Sequence, residues 1–366
     1  MKNLRHNPLL MIPGPVNVRD DIMEIVSKSV VPHRSEEFCN ILKSVYENLK
    51  YIFQTKDDVY ILTSSGTGAM CAAIDNIINS GDKVLCLVNG IFSMRWADIA
   101  RAKGAQVCLI EVPYGCAVEP EVLREFLQQN NDIKIVTMAH SETSTGVVNN
   151  IKALCKIVKE YGAISVVDGI SSVGVMECKK DEWDIDILIS ASQKGFMLPP
   201  GLSFLSVSMR AWDLYNKCVY HNEYFDWKRY DYAMEYNTVP YTPAVNLICA
   251  LNVLLAEYKN EGLENIISKR AKYAEILRAG LRNMGLELLA NNDEISSSAV
   301  AAVYSPKGII SNEIIEIMKN EHNIIIANGQ GNLKDKIFRI GTIGDIGEYE
   351  INYTLNALSE TLKKIC

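Results

Sequence analysis

Between residues 59 and 208 the chain alternates short apolar, β-branched runs with longer amphipathic stretches. The runs lie at 59–62, 83–88, 106–111, 133–140, 164–168, 186–189 and 202–207. Helical patterns at 66–79, 94–103, 120–129 and 151–161 separate several of them. Alternation sustained over such a length predicts an α/β fold, with a mostly parallel seven-stranded sheet covered on both faces by helices. Ligands of such sheets bind at the carboxyl ends of the strands. Residues 211–245 break the pattern, being rich in Tyr, Trp, Asn and Pro. A long helical pattern follows over 243–284, and the remainder reads as a smaller α/β unit with strands near 297–304, 324–327 and 338–341. The expected organisation is an N-terminal arm (1–16), a large domain (17–260) and a small C-terminal domain (261–366), with the hinge inside the long helix.

A chain of 366 residues with 48% hydrophobic and 22% charged residues is a globular protein of two domains, not a disordered one. A net charge of −7 argues against nucleic acid or an anionic membrane as the main partner. No apolar run approaches bilayer length, and no signal-peptide core follows the polar N-terminus, so a cytoplasmic protein is expected. The ten cysteines show no C-x-x-C spacing, and most sit inside apolar runs; they read as reduced core residues. The five histidines are dispersed, and no metal site is expected.

The residues at strand ends carry the chemistry. Lys194 follows the apolar run that starts at Asp186, in a turn of small residues that Pro199-Pro200-Gly201 soon closes. A buried amine loses hydration, its pKa falls, and it becomes a nucleophile for carbonyls. Another strand ends in Asp168. A strand-end lysine and a strand-end aspartate together suit pyridoxal phosphate, which needs an amine for its Schiff base and an anion for its ring nitrogen. Alone, Asp168 also reads as a cap for the turn that follows. Val59-Tyr-Ile-Leu-Thr-Ser-Ser-Gly-Thr-Gly is strand, turn, then helix start, so Ser65, Gly66 and Thr67 place N–H groups and hydroxyls where a helix favours an anion. Taken alone it is also an ordinary capped glycine turn; it is neither a P-loop nor a Rossmann fingerprint. Phe92 follows another strand and is placed either to stack on a ring or to fill the core; Gln193 offers an amide to a phosphate. Arg95 is left to a structural role. Arg339, in Phe338-Arg339-Ile340-Gly341, has the planar fork that matches a carboxylate.

At these residues the chain resembles the class V (fold type I) pyridoxal phosphate aminotransferases, most of all the alanine–glyoxylate / serine–pyruvate branch. The likeness runs from residue 13 to 347. It is carried by Pro13-Gly14-Pro15-Val16-Asn17-Val18, His33-Arg34-Ser35-Glu36-Glu37-Phe38, Ser65-Gly66-Thr67-Gly68-Ala69-Met70, and Asn89-Gly90-Ile91-Phe92 with Arg95. His140-Ser-Glu-Thr-Ser-Thr-Gly-Val147, Val167-Asp168, Ser192-Gln193-Lys194, Pro199-Pro200-Gly201, Glu261-Gly262-Leu263 and Phe338-Arg339-Ile340-Gly341 complete it. The resemblance implies that Lys194 is the Schiff-base lysine and proton shuttle, that Asp168 pairs with the ring nitrogen, and that Phe92 stacks on the ring. It implies Ser65, Gly66, Thr67 and Gln193 at the phosphate, Thr143 near the ring hydroxyl and Arg339 at the substrate carboxylate. It further implies a homodimer in which Thr242 reaches the neighbour's phosphate, with Tyr241 standing in for a tyrosine that falls on Val239 here.

The activity so implied is transamination of a small amino acid, alanine- or serine-like, with glyoxylate or pyruvate. Gln193 stands where cysteine desulfurases of the class carry His, which disfavours sulfur chemistry. A 2-aminoethylphosphonate–pyruvate transaminase is the nearer alternative; it should want extra cationic groups for its phosphonate, and His33-Arg34 leans the other way. A lyase, a non-catalytic cofactor-binding protein and a nucleotide-dependent enzyme are the remaining classes. Sulfide from cysteine, absence of any half-reaction and failure to bind the cofactor, respectively, distinguish them.

Overall fold

The computed structural model describes residues 7–365; residues 1–6 of the arm, and Cys366, lie outside the described residues. The chain opens with a short strand β1 (Leu9–Leu10) and helices α1 (Asp20–Val26) and α2 (Glu36–Phe53). Then come β2 (Val59–Leu62), α3 (Gly66–Asp75), β3 (Lys83–Val88), α4 (Ile91–Ala102), β4 (Gln106–Glu111), α5 (Pro120–Gln129) and β5 (Ile135–Ala139). A small hairpin of β6 (Ser141–Glu142) and β7 (Val147–Val148) precedes α6 (Ile151–Glu160), β8 (Ile164–Asp168), β9 (Ile187–Ala191) and β10 (Ser203–Val207). Seven of these strands form one sheet in the order β2-β10-β9-β8-β5-β3-β4. All pairings are parallel except those of β10, which runs antiparallel to both β2 and β9.

The near-continuous apolar character of these strands follows from burial on both faces. In β3, Leu85 and Leu87 enter one core with α2, α6 and residues of the later helices, while Val84, Cys86 and Val88 enter the other with α3 and α4. Helix starts follow local chemistry: Ser65 caps α3 by accepting from Gly68 N, Asn150 caps α6 by accepting from Ala153 N, and Pro120 opens α5. The region 211–245, weakly periodic in sequence, contains most of α7 (Met209–Tyr215) and α8 (Trp227–Glu235).

The pattern over 243–284 reads as one helix, and here the structure differs. Gly262, at φ 86°, divides it into α9 (Val245–Glu261) and α10 (Leu263–Asn283). A positive φ favours glycine and cannot continue a helix. Beyond α10, β11 (Val300–Tyr304), α11 (Ser311–His322), β12 (Ile324–Ile325), β13 (Ala327–Asn328), β14 (Ile337–Gly341) and α12 (Glu348–Ile365) form a separate apolar cluster. The run expected as one strand over 324–327 is split: β13 joins the antiparallel order β11-β14-β13, while β12 pairs with β1. The arm is thus bound to this C-terminal unit. Met11 is buried in its core, and Met11 O accepts from Gly341 N at 2.9 Å. The Asn17 side chain brackets Leu10, accepting from its N–H at 3.1 Å and donating to its carbonyl at 2.7 Å.

The nine described cysteines are unpaired. Among the described residues no helix is long and apolar enough to cross a membrane, and no cluster of His, Cys, Asp and Glu is arranged to hold a metal.

Candidate active site

Ser65, Gly66, Thr67, Phe92, Thr143, Asp168, Gln193 and Lys194 line a single cleft of about 260 Å³ at the carboxyl ends of the strands, joined there by Gly14, Arg95, Ile170 and Ser171. Asp168 is the last residue of β8, and Lys194 sits in the turn that follows β9. Both are buried, at 7% and 9% exposure. The Lys194 amine is lowered to about 8: burial is the main cause, Asp168 opposes the fall and Arg339 adds to it. Burial lifts the Asp168 carboxyl to about 7, against a hydrogen bond from Ile170 N at 2.8 Å; Glu142 adds to the rise, while Lys194 and Arg95 oppose it. A cation brought against Asp168 would lower it again. Lys194 Nζ donates to Pro13 O, and Gly14 packs on the lysine so closely that a Cβ there would lie 2.6 Å from Lys194 Cδ.

The α3 N-terminus forms the second part. Ser65 Oγ accepts from Gly68 N at 3.4 Å and keeps its O–H free, and the N–H groups of Gly66 and Thr67 have no partner among the described residues. A Cβ at Gly66 would meet Ile170 Cδ1 at 2.5 Å, so any larger residue there obliges the Ile170 side chain, which also lines the cleft, to shift. Thr143 Oγ1 and Ser171 Oγ share a hydrogen bond of 2.8 Å.

Arg339, on β14, is not among the residues that line the cleft; it meets it through Thr143, which does line it. Its Nε and Nη2 donate to Asn328 O at 2.9 and 2.8 Å, and its Nη1 to Thr143 O at 3.2 Å. It has no carboxylate in ion-pair contact among the described residues, and burial lowers it to about 10 although Glu142 opposes the fall. Tyr241 and Thr242 do not line this cleft. Tyr241 stacks on Tyr224 and donates to Glu223 O at 2.6 Å, and Thr242 is exposed.

Two contributors escape a reading of the sequence. Glu142, fully buried, accepts from Phe92 N (3.3 Å), Ser93 N (2.7 Å), Ser93 Oγ (2.8 Å), Ser144 N (3.1 Å) and Ser144 Oγ (2.6 Å). It therefore caps α4, whose own N-cap is Gly90, and holds Phe92 in place. Gly14 is the other; its contact with Lys194 joins residues far apart in the chain.

The description "Aminotransferase class-V" matches residues 22–335. The chain belongs to the class V aminotransferases. It is 35% identical to an L-aspartate–glyoxylate aminotransferase of Paracoccus denitrificans, covering 93% of this chain and 87% of the relative. It is likewise 35% identical to a serine–glyoxylate aminotransferase of Methylorubrum extorquens, over 93% and 88%. The fold matches the crystal structure of an alanine–glyoxylate aminotransferase from Nostoc sp. with a TM-score of 0.92 and 30% identity, over 97% of this chain and 95% of that one. The protein is a pyridoxal-phosphate-dependent aminotransferase of fold type I.

The cleft fits that cofactor. Its lysine amine is lowered toward the neutral, nucleophilic form, its buried aspartate has no cation in ion-pair contact among the described residues, and its helix N-terminus has N–H groups without a partner among the described residues. Gln193 lines the same cleft, where its side-chain N–H groups are the part of the amide that a phosphate could accept from.

Proposed function

We propose that the protein transfers an amino group from a small amino acid, alanine- or serine-like, to a 2-oxo acid, glyoxylate or pyruvate, in ping-pong fashion at Lys194. One observation carries this: a buried lysine amine held near 8, with a buried carboxylate, Asp168, and a buried guanidinium, Arg339, both acting on its charge. When bound, pyridoxal phosphate supplies a ring that withdraws electrons from the donor Cα. Asp168 would hold positive charge at the ring nitrogen, and Phe92, which lines the same cleft, would pack on the ring. Ser65, Gly66, Thr67 and Gln193 hold the phosphate, and Thr143 stands at the ring hydroxyl. Arg339 turns its fork to the substrate carboxylate, releasing the backbone carbonyls it now binds. Lys194, once free, takes the proton from Cα as a neutral amine, the form that burial favours.

The relatives named above share glyoxylate and differ in donor, which supports glyoxylate as the acceptor. The proposal extends to a homodimer in which Thr242, with Tyr241 beside it, serves the neighbouring phosphate; the exposure of Thr242, outside its own cleft, supports this. It also includes domains at 17–260 and 261–366 with the arm 1–16, supported by the break at Gly262 and the separate C-terminal core. A cytoplasmic role in amino-acid metabolism accords with the unpaired cysteines. The test is a matrix of alanine, serine, aspartate, glutamate and 2-aminoethylphosphonate against glyoxylate and pyruvate. Highest kcat/KM for alanine or serine with glyoxylate is expected; highest for 2-aminoethylphosphonate would overturn the donor assignment.

A further inference from the structure

Arg95 was left without a chemical role by its sequence, yet its placement is specific. It lies one helical turn after Phe92 on α4, so both side chains point from the same face. Its guanidinium carbon is 5.0 Å from the Phe92 ring centroid, and its Nη1 donates to Thr67 Oγ1 at 3.2 Å. Arg95 lines the cleft and has no carboxylate in ion-pair contact among the described residues. Its charge reaches Asp168 as the least of the influences that oppose the rise caused by burial.

The phosphate cup beside it consists of neutral groups: the Ser65 and Thr67 hydroxyls, two backbone N–H groups and the Gln193 amide. A phosphate monoester carries about two negative charges near neutral pH, and neutral donors at one helix end offset only part of that. Lys194 cannot serve as the counter-charge, because its nitrogen is committed to the carbonyl. A hydroxyl has one hydrogen to donate and two lone pairs to accept with. By donating to Thr67 Oγ1, Arg95 occupies a lone pair and leaves the Thr67 hydrogen free to point at the anion.

We propose that Arg95 is the counter-charge of the cofactor phosphate, acting through Thr67 Oγ1. It is a positioning residue and touches no reacting atom. The proposal rests on the assignment of the Ser65–Thr67 turn as the phosphate cup.

The test compares binding of pyridoxal phosphate with binding of pyridoxal, which lacks the phosphate, to R95Q, R95K and T67A proteins, followed by absorbance of the lysine-bound cofactor. R95Q should weaken pyridoxal phosphate by about tenfold to a hundredfold, the range for losing a hydrogen bond to a charged group. Pyridoxal binding should change by less than about threefold, and R95K should recover part of the loss because it restores the charge without the fork. Equal losses for the two vitamers, or none for either, would overturn the role of Arg95. The T67A protein separates that failure from failure of the cup: if T67A leaves pyridoxal phosphate affinity untouched, the phosphate lies elsewhere. Unchanged pyridoxal binding shows that the variants fold.

Discussion

Replacing Asp168 with Asn and Arg339 with Gln should move the titration of Lys194 in opposite directions. Lowering the amine from 10.5 to about 8 corresponds to about 3 kcal/mol against its ammonium form. At pH 7.5 roughly a quarter of the sites then carry a neutral amine, some two hundredfold more than for an unperturbed lysine. The rate at which apoprotein captures added pyridoxal phosphate should therefore rise with pH and level off above an inflection near 8. The Asp168 carboxylate favours the ammonium, so D168N should shift the inflection to lower pH; Arg339 disfavours it, so R339Q should shift it upward. Stopped-flow capture rates between pH 6 and 10, with borohydride trapping and peptide mapping to confirm Lys194, give the inflections. A wild-type inflection near that of free lysine, or shifts of the same sign in both variants, would refute the electrostatic account of this lysine.

Asp168 also predicts a stability effect of definite sign. Its folded pKa, about 7, lies above the unfolded value of 3.8, so folding binds a proton between those limits, and stability falls as pH rises through them. Apo D168N should therefore melt higher than wild-type apoprotein at pH 8, by as much as about 4 kcal/mol, and nearly equally at pH 4. Losing Glu142 strips buried N–H groups of Phe92, Ser93 and Ser144 of their acceptor; E142A should cost roughly 2–4 kcal/mol by denaturant unfolding and weaken cofactor binding as Phe92 loosens. G66A places a methyl 2.5 Å from Ile170 Cδ1, so Ile170 must move; a loss of about 1–3 kcal/mol in cofactor binding is expected by equilibrium titration. T242A should lower cofactor affinity by roughly twofold to tenfold. Analytical ultracentrifugation should find a dimer for both wild type and T242A; a fully active wild-type monomer would contradict the shared site.

Local pattern revealed much of this. Lys194, Asp168 and the Ser65–Thr67 turn were legible because each follows a run whose composition marks a strand, and strand ends of such sheets converge. Thr143 came only with the family resemblance, and the cleft does include it. Arg95 was visible but unassignable, since its contact with Thr67 lies across two helices. Glu142 was hidden for the same reason: its partners on α4 are some fifty residues away in the chain. The antiparallel direction of β10 leaves no mark in a strand buried on both faces, because its composition matches that of its parallel neighbours. Gly262 was in plain view, but a single glycine within a strong helical pattern does not reveal its φ.

The half-reaction tests the central claim most directly. Protein loaded with pyridoxal phosphate is mixed with one amino acid and no acceptor, and the released oxo acid is measured by mass spectrometry. Alanine or serine should yield one equivalent of its oxo acid per site, later addition of glyoxylate should yield one equivalent of glycine, and K194A should yield neither. Release of oxo acid only when glyoxylate is present from the start, or stoichiometric release by K194A, would contradict a ping-pong transfer at Lys194.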